Sequence, residues 1–422
     1  MNLPLPANLY LANLSPTDSA IAARLEDRIR EAVTPRRLIA TNNLELEEYA
    51  QLGLCQLKLS DAPPSVAIWE WGGEDHDSLV THFEQAAWHV RWRDLDLYVV
   101  KASWDSNCGG TSRFWIAADE LETAESFLLD VKRKTNDPGE SILVFHGGYW
   151  QRSRELYAAT QQASFDDLVL SGTLKDSLRD DFHRFLAARE RYESLGVAWR
   201  RGALLIGPPG NGKTHCVRAL VKELKIPSLY VQSLASRHYT SEEMLRVVFD
   251  RARQLRPCML IFEDLDALVN EENRSFFLNQ LDGFEKNVGM IVLATTNHPE
   301  RIDPAILDRP SRFDRKYHFG LPAAVERQAY LEMWHVRLVE ETNWDAATIR
   351  ELTTATEGFS FAYLKELVVS SLLRWMADHS SGFALTLLTQ AAELRGQMTT
   401  SSTIASGATS GLGTLAGDVS GD

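Results

Sequence analysis

The sequence predicts an α/β fold: a parallel sheet with crossover helices, closed by a C-terminal helical lid and preceded by a smaller α+β domain. Three observations lead there. From about Ser164 onward, short apolar segments alternate with amphipathic helical stretches, the pattern of parallel strands joined by helices. One apolar segment, GALLIG, runs directly into a glycine-rich loop that opens a helix. Before residue 165 bulky and polar residues alternate instead, and seven of the eleven tryptophans lie at or before Trp150. The expected domains are an N-terminal α+β module over 1–165, an α/β core over 166–322, a helical lid over 323–395 and a flexible tail over 396–422.

The front module opens with an amphipathic helix, about Ser15 to Val33, apolar at Ile21, Leu25, Ile29 and Val33. SVAIWEW, AWHVRWRDLDLYVVKASW, TSRFWIAA and SILVFHGGYW read as half-buried antiparallel strands, with a helix at about Asp119 to Lys134 before the last. Tryptophans on alternating strand positions bury area in a small sheet, which accounts for them better than a stacking platform for a ligand does. No cluster of chemistry-bearing residues stands out in this module.

In the core, strands are expected at GALLIG, SLYVQSL, CMLIFEDLD, GMIVLATTN and RKYHFG, with helices starting near Gly212, Ser241 and Asn270. From about Ala323 no strand recurs, and AAVERQAYLEMWHVRLV, DAATIRELTTA, SFAYLKELVVSSLLRWMADH and FALTLLTQAAELR read as lid helices. The final stretch is rich in Gly, Ser and Thr and lacks Lys and Arg, so it buries too little apolar surface to offset its ordering entropy.

Composition excludes several classes of function. With 44 Lys+Arg against 58 Asp+Glu, the net charge of -14 opposes a non-specific grip on nucleic acid or anionic lipid. The four cysteines (Cys55, Cys108, Cys216, Cys258) form no CxxC pair, and the histidines make no HExxH, so no zinc site built from side chains is expected. No window approaches the roughly eighteen to twenty apolar residues that cross a bilayer, and the N-terminus does not read as a secretory signal. The reading is a soluble, cytoplasmic protein.

The strongest motif is Gly207-Pro208-Pro209-Gly210-Asn211-Gly212-Lys213-Thr214, which satisfies GxxxxGK[ST] between an apolar strand and a helix. Such a loop turns consecutive backbone N–H groups toward an anion at a helix N-terminus, where the dipole already favours phosphate. Lys213 is expected to reach the β- and γ-phosphates of a nucleotide, and the Thr214 hydroxyl to ligate Mg²⁺. Next, Cys258–Phe262 ends in Glu263-Asp264, two carboxylates at the carboxyl end of a buried strand, where open α/β sheets hold their ligands. They suit a metal and a water-activating base, while Asp266 reads as a helix-capping acid. A third apolar strand, Ile291–Thr296, ends in Asn297, and Ile302 to Arg315 follows with Asp308, Arg309, Pro310, Ser311 and Arg312.

In this order and spacing, the GPPGNGKT loop, the acidic strand end, the TTN segment and the DPAxL…RPxRFDR stretch resemble the AAA family of ATPases, over about Ser164 to His379. The FDDLVL…VAWRRG approach and the Glu-Asp order are most similar to the mitochondrial chaperone that translocates the folded Rieske iron–sulfur protein, and to its soluble relatives. No segment here matches that chaperone's membrane anchor, and the front module does not match its middle domain, so no Rieske client is inferred. The resemblance implies ATP and Mg²⁺ as ligands, a core sheet of strand order 5-1-4-3-2, and a homo-oligomeric ring, commonly hexameric or heptameric. It also implies Arg309 and Arg312 as fingers reaching the neighbouring subunit's γ-phosphate, where a guanidinium is worth about 10³–10⁵ in rate.

There are three departures from the family pattern. The usual Asp-Glu order is reversed, so by position Glu263 holds the metal and Asp264, one methylene shorter, activates water. The finger segment reads RPSR, with Asp308 inserted ahead of it. An aromatic-hydrophobic-glycine pore loop is absent; His238 and Tyr239 stand in that region, which reads equally well as a solvent loop. The expected function is Mg²⁺-dependent ATP hydrolysis in a ring, coupled to remodelling or translocating a protein client. The alternative is a slowly hydrolysing, nucleotide-gated scaffold that assembles to display its N-terminal module.

Overall fold

A computed structural model describes residues 18–410 apart from 43, 61–64, 72–78, 107–108, 237–238, 283–286, 308–311, 339–341, 343 and 378–381. The chain divides into two compact units: Met1–Gly139 with Ser236–Thr240, and Glu140–Ala235 with Ser241–Asp422.

The first unit is built on an antiparallel sheet. Its elements are α1 (Asp18–Val33), β1 (Arg37–Thr41), α2 (Leu46–Gln51), β2 (Gln56–Leu59), β3 (Val66–Trp71), β4 (Leu79–Trp92), β5 (Leu95–Ser106), β6 (Gly109–Ala118) and α3 (Leu121–Asn136). The strand order is β1-β6-β5-β4-β2, with β3 also paired to β4. Arg93 and Asp94, both with positive φ (48° and 64°), make the two-residue turn between β4 and β5 whose twist suits a hairpin. Alternation then sorts the side chains. Trp88, Val90 and Trp92 pack with Phe127 and Val131 of α3. On the other face Ala87, Tyr98, Val100 and Trp115 pack with Leu25, Ile29 and Val33 of α1. The buried tryptophans are core residues here: Trp88, Trp92, Trp104 and Trp115 are all at most 9% exposed.

The second unit continues with β7 (Ile142–His146), β8 (Tyr149–Ser153), α4 (Arg154–Gln161), α5 (Leu174–Ala187), α6 (Arg189–Ser194), β9 (Arg201–Ile206), α7 (Lys213–Leu224), β10 (Ser228–Val231) and α8 (Ser241–Gln254). Then come β11 (Cys258–Phe262), α9 (Leu265–Leu268), α10 (Arg274–Asp282), β12 (Met290–Thr296), α11 (Pro304–Leu307) and β13 (Arg315–His318). The sheet order is β13-β9-β12-β11-β10-β7-β8, parallel throughout except for β8. Its strands are apolar on both faces because helices cover both. Ala203, Leu205, Ile261 and Leu293 meet α5 and α7, while Leu204, Leu260, Phe262 and Val292 meet α8 and α10.

Two boundaries differ from the sequence reading. SILVFHGGYW, read as part of the front module, supplies β7 and β8: Leu143, Val144 and Phe145 pair in parallel with Leu229, Tyr230 and Val231 of β10. The units therefore part at Gly139 rather than at residue 165. A short apolar strand carries no mark of its partner, and only the register with β10 decides which sheet it joins. The chain ends in a helical bundle, α12 (Ala324–Leu338), α13 (Ala346–Ala355), α14 (Phe361–Ala377) and α15 (Phe383–Ser410). It has its own core around Leu331, Trp344, Leu352, Phe359 and Leu387. Helix α15 runs past residue 396, where the sequence suggests a flexible tail. Among the described residues no helix is long and apolar enough to cross a membrane.

Candidate active site at the carboxyl ends of the parallel strands

The glycine-rich loop joins the end of β9 to α7, whose N-cap is the left-handed Gly212. At Gly207 a Cβ would fall 2.1 Å from the Phe319 carbonyl oxygen, so the loop passes too close to the backbone after β13 for any side chain. Gly210 has φ +78°, and a Cβ there would lie 2.7 Å from the Ala362 side chain. That contact is reinforced by the Ala362 N–H, which donates to the Gly210 carbonyl at 2.9 Å. The loop is thus tied at one side to the N-terminus of α14. Asn211 is buried, with its amide nitrogen donating to the Phe319 carbonyl (3.4 Å) and its Oδ1 unpartnered.

Lys213 is also buried, and its Nζ donates to the carbonyls of Gly207 (2.6 Å) and Pro208 (2.9 Å). Burial lowers its pKa below the ordinary lysine value, opposed by the nearby carboxylates of Asp264, Asp266 and Glu263. Thr214 is exposed on the first turn of α7. The approach segment flanks the loop: His215 meets the Ser164 carbonyl at 3.0 Å, Lys222 donates to the Ala163 carbonyl at 3.0 Å, and a Cβ on Gly212 would lie 2.9 Å from Leu168.

The acids sit just beyond β11. Asp264 has φ 51° and ψ 58°, a left-handed conformation that costs a non-glycine residue about 1–3 kcal/mol. Two residues at the end of β12 hold it there: Thr295 Oγ1, within the strand, accepts the Asp264 N–H (3.1 Å), and the amide of Asn297, just after it, donates to Asp264 Oδ1 (2.8 Å). Thr296 donates its hydroxyl to Asp266 Oδ1 at 2.7 Å. Glu263 is served from the other side, by the Tyr230 hydroxyl of β10, which donates to Oε2 at 3.0 Å. Its second oxygen, Oε1, is buried without a partner. An orphaned anionic oxygen among carboxylates, beside a loop of backbone donors, fits a divalent cation bound with a polyphosphate.

The arginines divide. Arg312 does not project into solvent: its side chain is 8% exposed, Nε donates to Asp282 Oδ2 at 2.7 Å, and another guanidinium nitrogen bonds the Ala305 carbonyl. Arg309 lies outside the described residues, as does His238, while Tyr239 is 41% exposed. Sequence reasoning missed Tyr230, Thr295, Thr296 and the Ala362 contact. The threonines carried a signal, two hydroxyls ending a fully apolar strand, but Tyr230 and Ala362 carried none that the linear sequence reveals.

Residues 203–321 match the family described as ATPase family associated with various cellular activities (AAA). Among curated relatives, the ATP-dependent zinc metalloprotease FtsH of Acaryochloris marina is 35% identical over 238 residues, 50% of this chain and 34% of the relative. The FtsH of Acidothermus cellulolyticus is 38% identical over 203 residues, 44% of this chain and 30% of the relative. FtsH 1 of Thermomicrobium roseum is 28% identical over 351 residues, covering 79% and 50% respectively. The chain therefore spans half or less of the length of these relatives. The alignments do not show the narrower kinship with the Rieske-protein translocator. The matched segment is similar to AAA ATPase domains, and that similarity supports an ATP-hydrolysing activity.

Proposed function

We propose that the protein is a Mg²⁺-dependent ATPase that works as a homo-oligomeric ring, with each site completed by the neighbouring subunit, and that its cycle drives remodelling or translocation of a protein client. The observation that carries this reading is the pair of acids at the end of β11. One has an unpartnered buried oxygen, and the other is fixed in a left-handed turn by Asn297.

In this reading the backbone from Gly207 to Gly212 and the Nζ of Lys213 bind the phosphates, and Thr214 and Glu263 hold Mg²⁺. The bound metal would neutralise charge on the phosphates as they separate. Asp264 and Asn297 orient the attacking water and accept its proton at the Asp264 carboxylate. The left-handed backbone at Asp264 and the Asn297 contact compensate for the shorter side chain by fixing its direction. Because Arg312 is engaged with Asp282 of its own subunit, the finger is assigned to Arg309.

Phosphate release from Lys213→Ala, Asp264→Asn and Arg309→Ala proteins tests the assignment. Turnover like that of the unsubstituted protein in the first two removes it. Doping Arg309→Ala subunits into otherwise unsubstituted rings separates action within a subunit from action across the boundary, since a trans finger silences its neighbour's site. A scaffold role with slow hydrolysis is the second reading, favoured by the reversed acid order; it requires nucleotide-bound rings that outlive many turnover times. The relatives' name describes a metalloprotease, and peptidase activity is not carried over, because the 422 residues contain no HExxH.

A further inference from the structure

Glu263 is one methylene longer than the aspartate usual at its position, so its carboxylate has an extra torsion to fix before it can serve as a metal ligand. We propose that Tyr230 is a positioning residue for that carboxylate: its hydroxyl holds Oε2 of Glu263, so that Oε1 is the oxygen offered to Mg²⁺. The inference rests on the metal role given to Glu263 above and adds a residue that the motif does not contain.

The sheet register shows how the contact arises. Tyr230 of β10 pairs with Ile261 of β11, and paired residues of parallel neighbours share a face. Glu263 is two residues beyond Ile261, so it emerges on that same face, the one covered by α7 and bearing Tyr230 among its half-buried residues. The phenol reaches forward along the strands to Oε2 at 3.0 Å.

The three acids are thus held by different strands. Asp264 and Asp266 take their partners from the chain at the end of β12, Asn297 and Thr296. Glu263 alone takes its partner from β10 and alone keeps a buried oxygen unpartnered. A half-buried tyrosine that served packing only would place its hydroxyl on any acceptor. This one is on the acid whose second oxygen has no other use in the fold, and partners of that kind fix a ligand's orientation before the metal arrives.

Mn²⁺ is the probe, titrated into the full chain by electron paramagnetic resonance with a non-hydrolysable ATP analogue bound. Tyr230→Phe is expected to raise the Mn²⁺ dissociation constant about tenfold, the lower end for loss of a partner behind a metal ligand. The melting temperature and metal-free nucleotide affinity are expected to stay unchanged. The Mg²⁺ concentration needed for half-maximal turnover rises by a similar factor, and kcat recovers at saturating Mg²⁺. Glu263→Asp, whose carboxylate is withdrawn from the phenol, weakens Mn²⁺ binding comparably, and adding Tyr230→Phe to it changes nothing further.

Unchanged Mn²⁺ affinity in Tyr230→Phe, with or without a lowered melting temperature, overturns the proposal, as does a full additional loss in the Glu263→Asp background. If the unsubstituted protein takes up no Mn²⁺ with the nucleotide, the metal-site reading itself fails. An unsubstituted protein that binds Mn²⁺ beside a Tyr230→Phe variant that binds it equally well refutes the tyrosine role alone.

Discussion

Each unit contains a tyrosine hydroxyl bonded to a carboxylate, and the two pairs differ in one respect. In the first unit Tyr49 donates to Asp130 Oδ2, Trp92 Nε1 donates to the Tyr49 oxygen at 2.9 Å, and Arg93 lies 3.1 Å from Asp130 Oδ1. Both oxygens of that acid are used. In the second unit Tyr230 occupies one oxygen of Glu263, and the other has no partner. The closed pair is a structural joint between β4, α2 and α3. The open pair leaves a charged acceptor unsatisfied in a buried place, a cost a fold carries where a ligand will meet it. Arg312, with Asp282 on one side and a carbonyl on the other, belongs with the closed groups.

The contrast breaks or sharpens under substitution. Under the proposed assignment the largest effect is expected at Arg309: Arg309→Ala lowers turnover by about 10³-fold with an unchanged melting temperature, because a residue in the finger role would act on the transition state. Phosphate-release kinetics with calorimetry on the same sample checks this, and a stability loss at Arg309 would place it with Arg312 instead. Glu263→Gln follows, with turnover reduced by about 10²-fold and stability unchanged or raised, as expected when an unsatisfied charge leaves a functional site. If Glu263→Gln unfolds as readily as a closed-pair variant, the distinction between open and closed acids is lost.

Arg312→Ala, by contrast, is expected to act on folding, with a loss of about 2–3 kcal/mol in denaturant titration, because Asp282 loses its close, buried ion pair and keeps the longer 3.9 Å pairing with Arg200. The smallest effect belongs to Asp130→Asn, about 1 kcal/mol at neutral pH with turnover unaffected. Its pH dependence has a definite sign. The Tyr49 hydrogen bond holds the Asp130 pKa below the ordinary carboxylate value, against a smaller opposing effect of burial. The folded-state pKa is depressed, so the contribution is complete above the ordinary range and fades as pH falls through the folded value. The gap between Asp130→Asn and the unsubstituted protein therefore closes in acid and is widest near neutrality.

How much could be read in advance depended on how far apart the interacting residues lie in the chain. GPPGNGKT is eight consecutive residues whose function resides in local backbone shape, and Gly207, Gly210 and Gly212 take up positive φ in the folded chain. Asp264 and Asn297 were each visible as polar residues ending apolar strands, but their 2.8 Å contact spans thirty-three positions. The finger motif named Arg312, and only the position of Asp282, thirty residues away, shows that its guanidinium is occupied. The strand at Ile142–His146 was legible as a strand and misplaced as to sheet, since its apolar run suits either.

By itself the sequence determined a parallel sheet carrying a loop of phosphate-binding pattern, because helix periodicity, strand runs and a glycine loop are encoded within a few neighbouring residues. Only the tertiary structure decided which strand lies beside which, that Tyr230 meets one oxygen of Glu263 and leaves the other open, and that Arg312 is held by Asp282 of the same chain. The physical reason is that a hydrogen bond between distant segments depends on register and packing summed over the whole sheet, and no short stretch of sequence contains that sum.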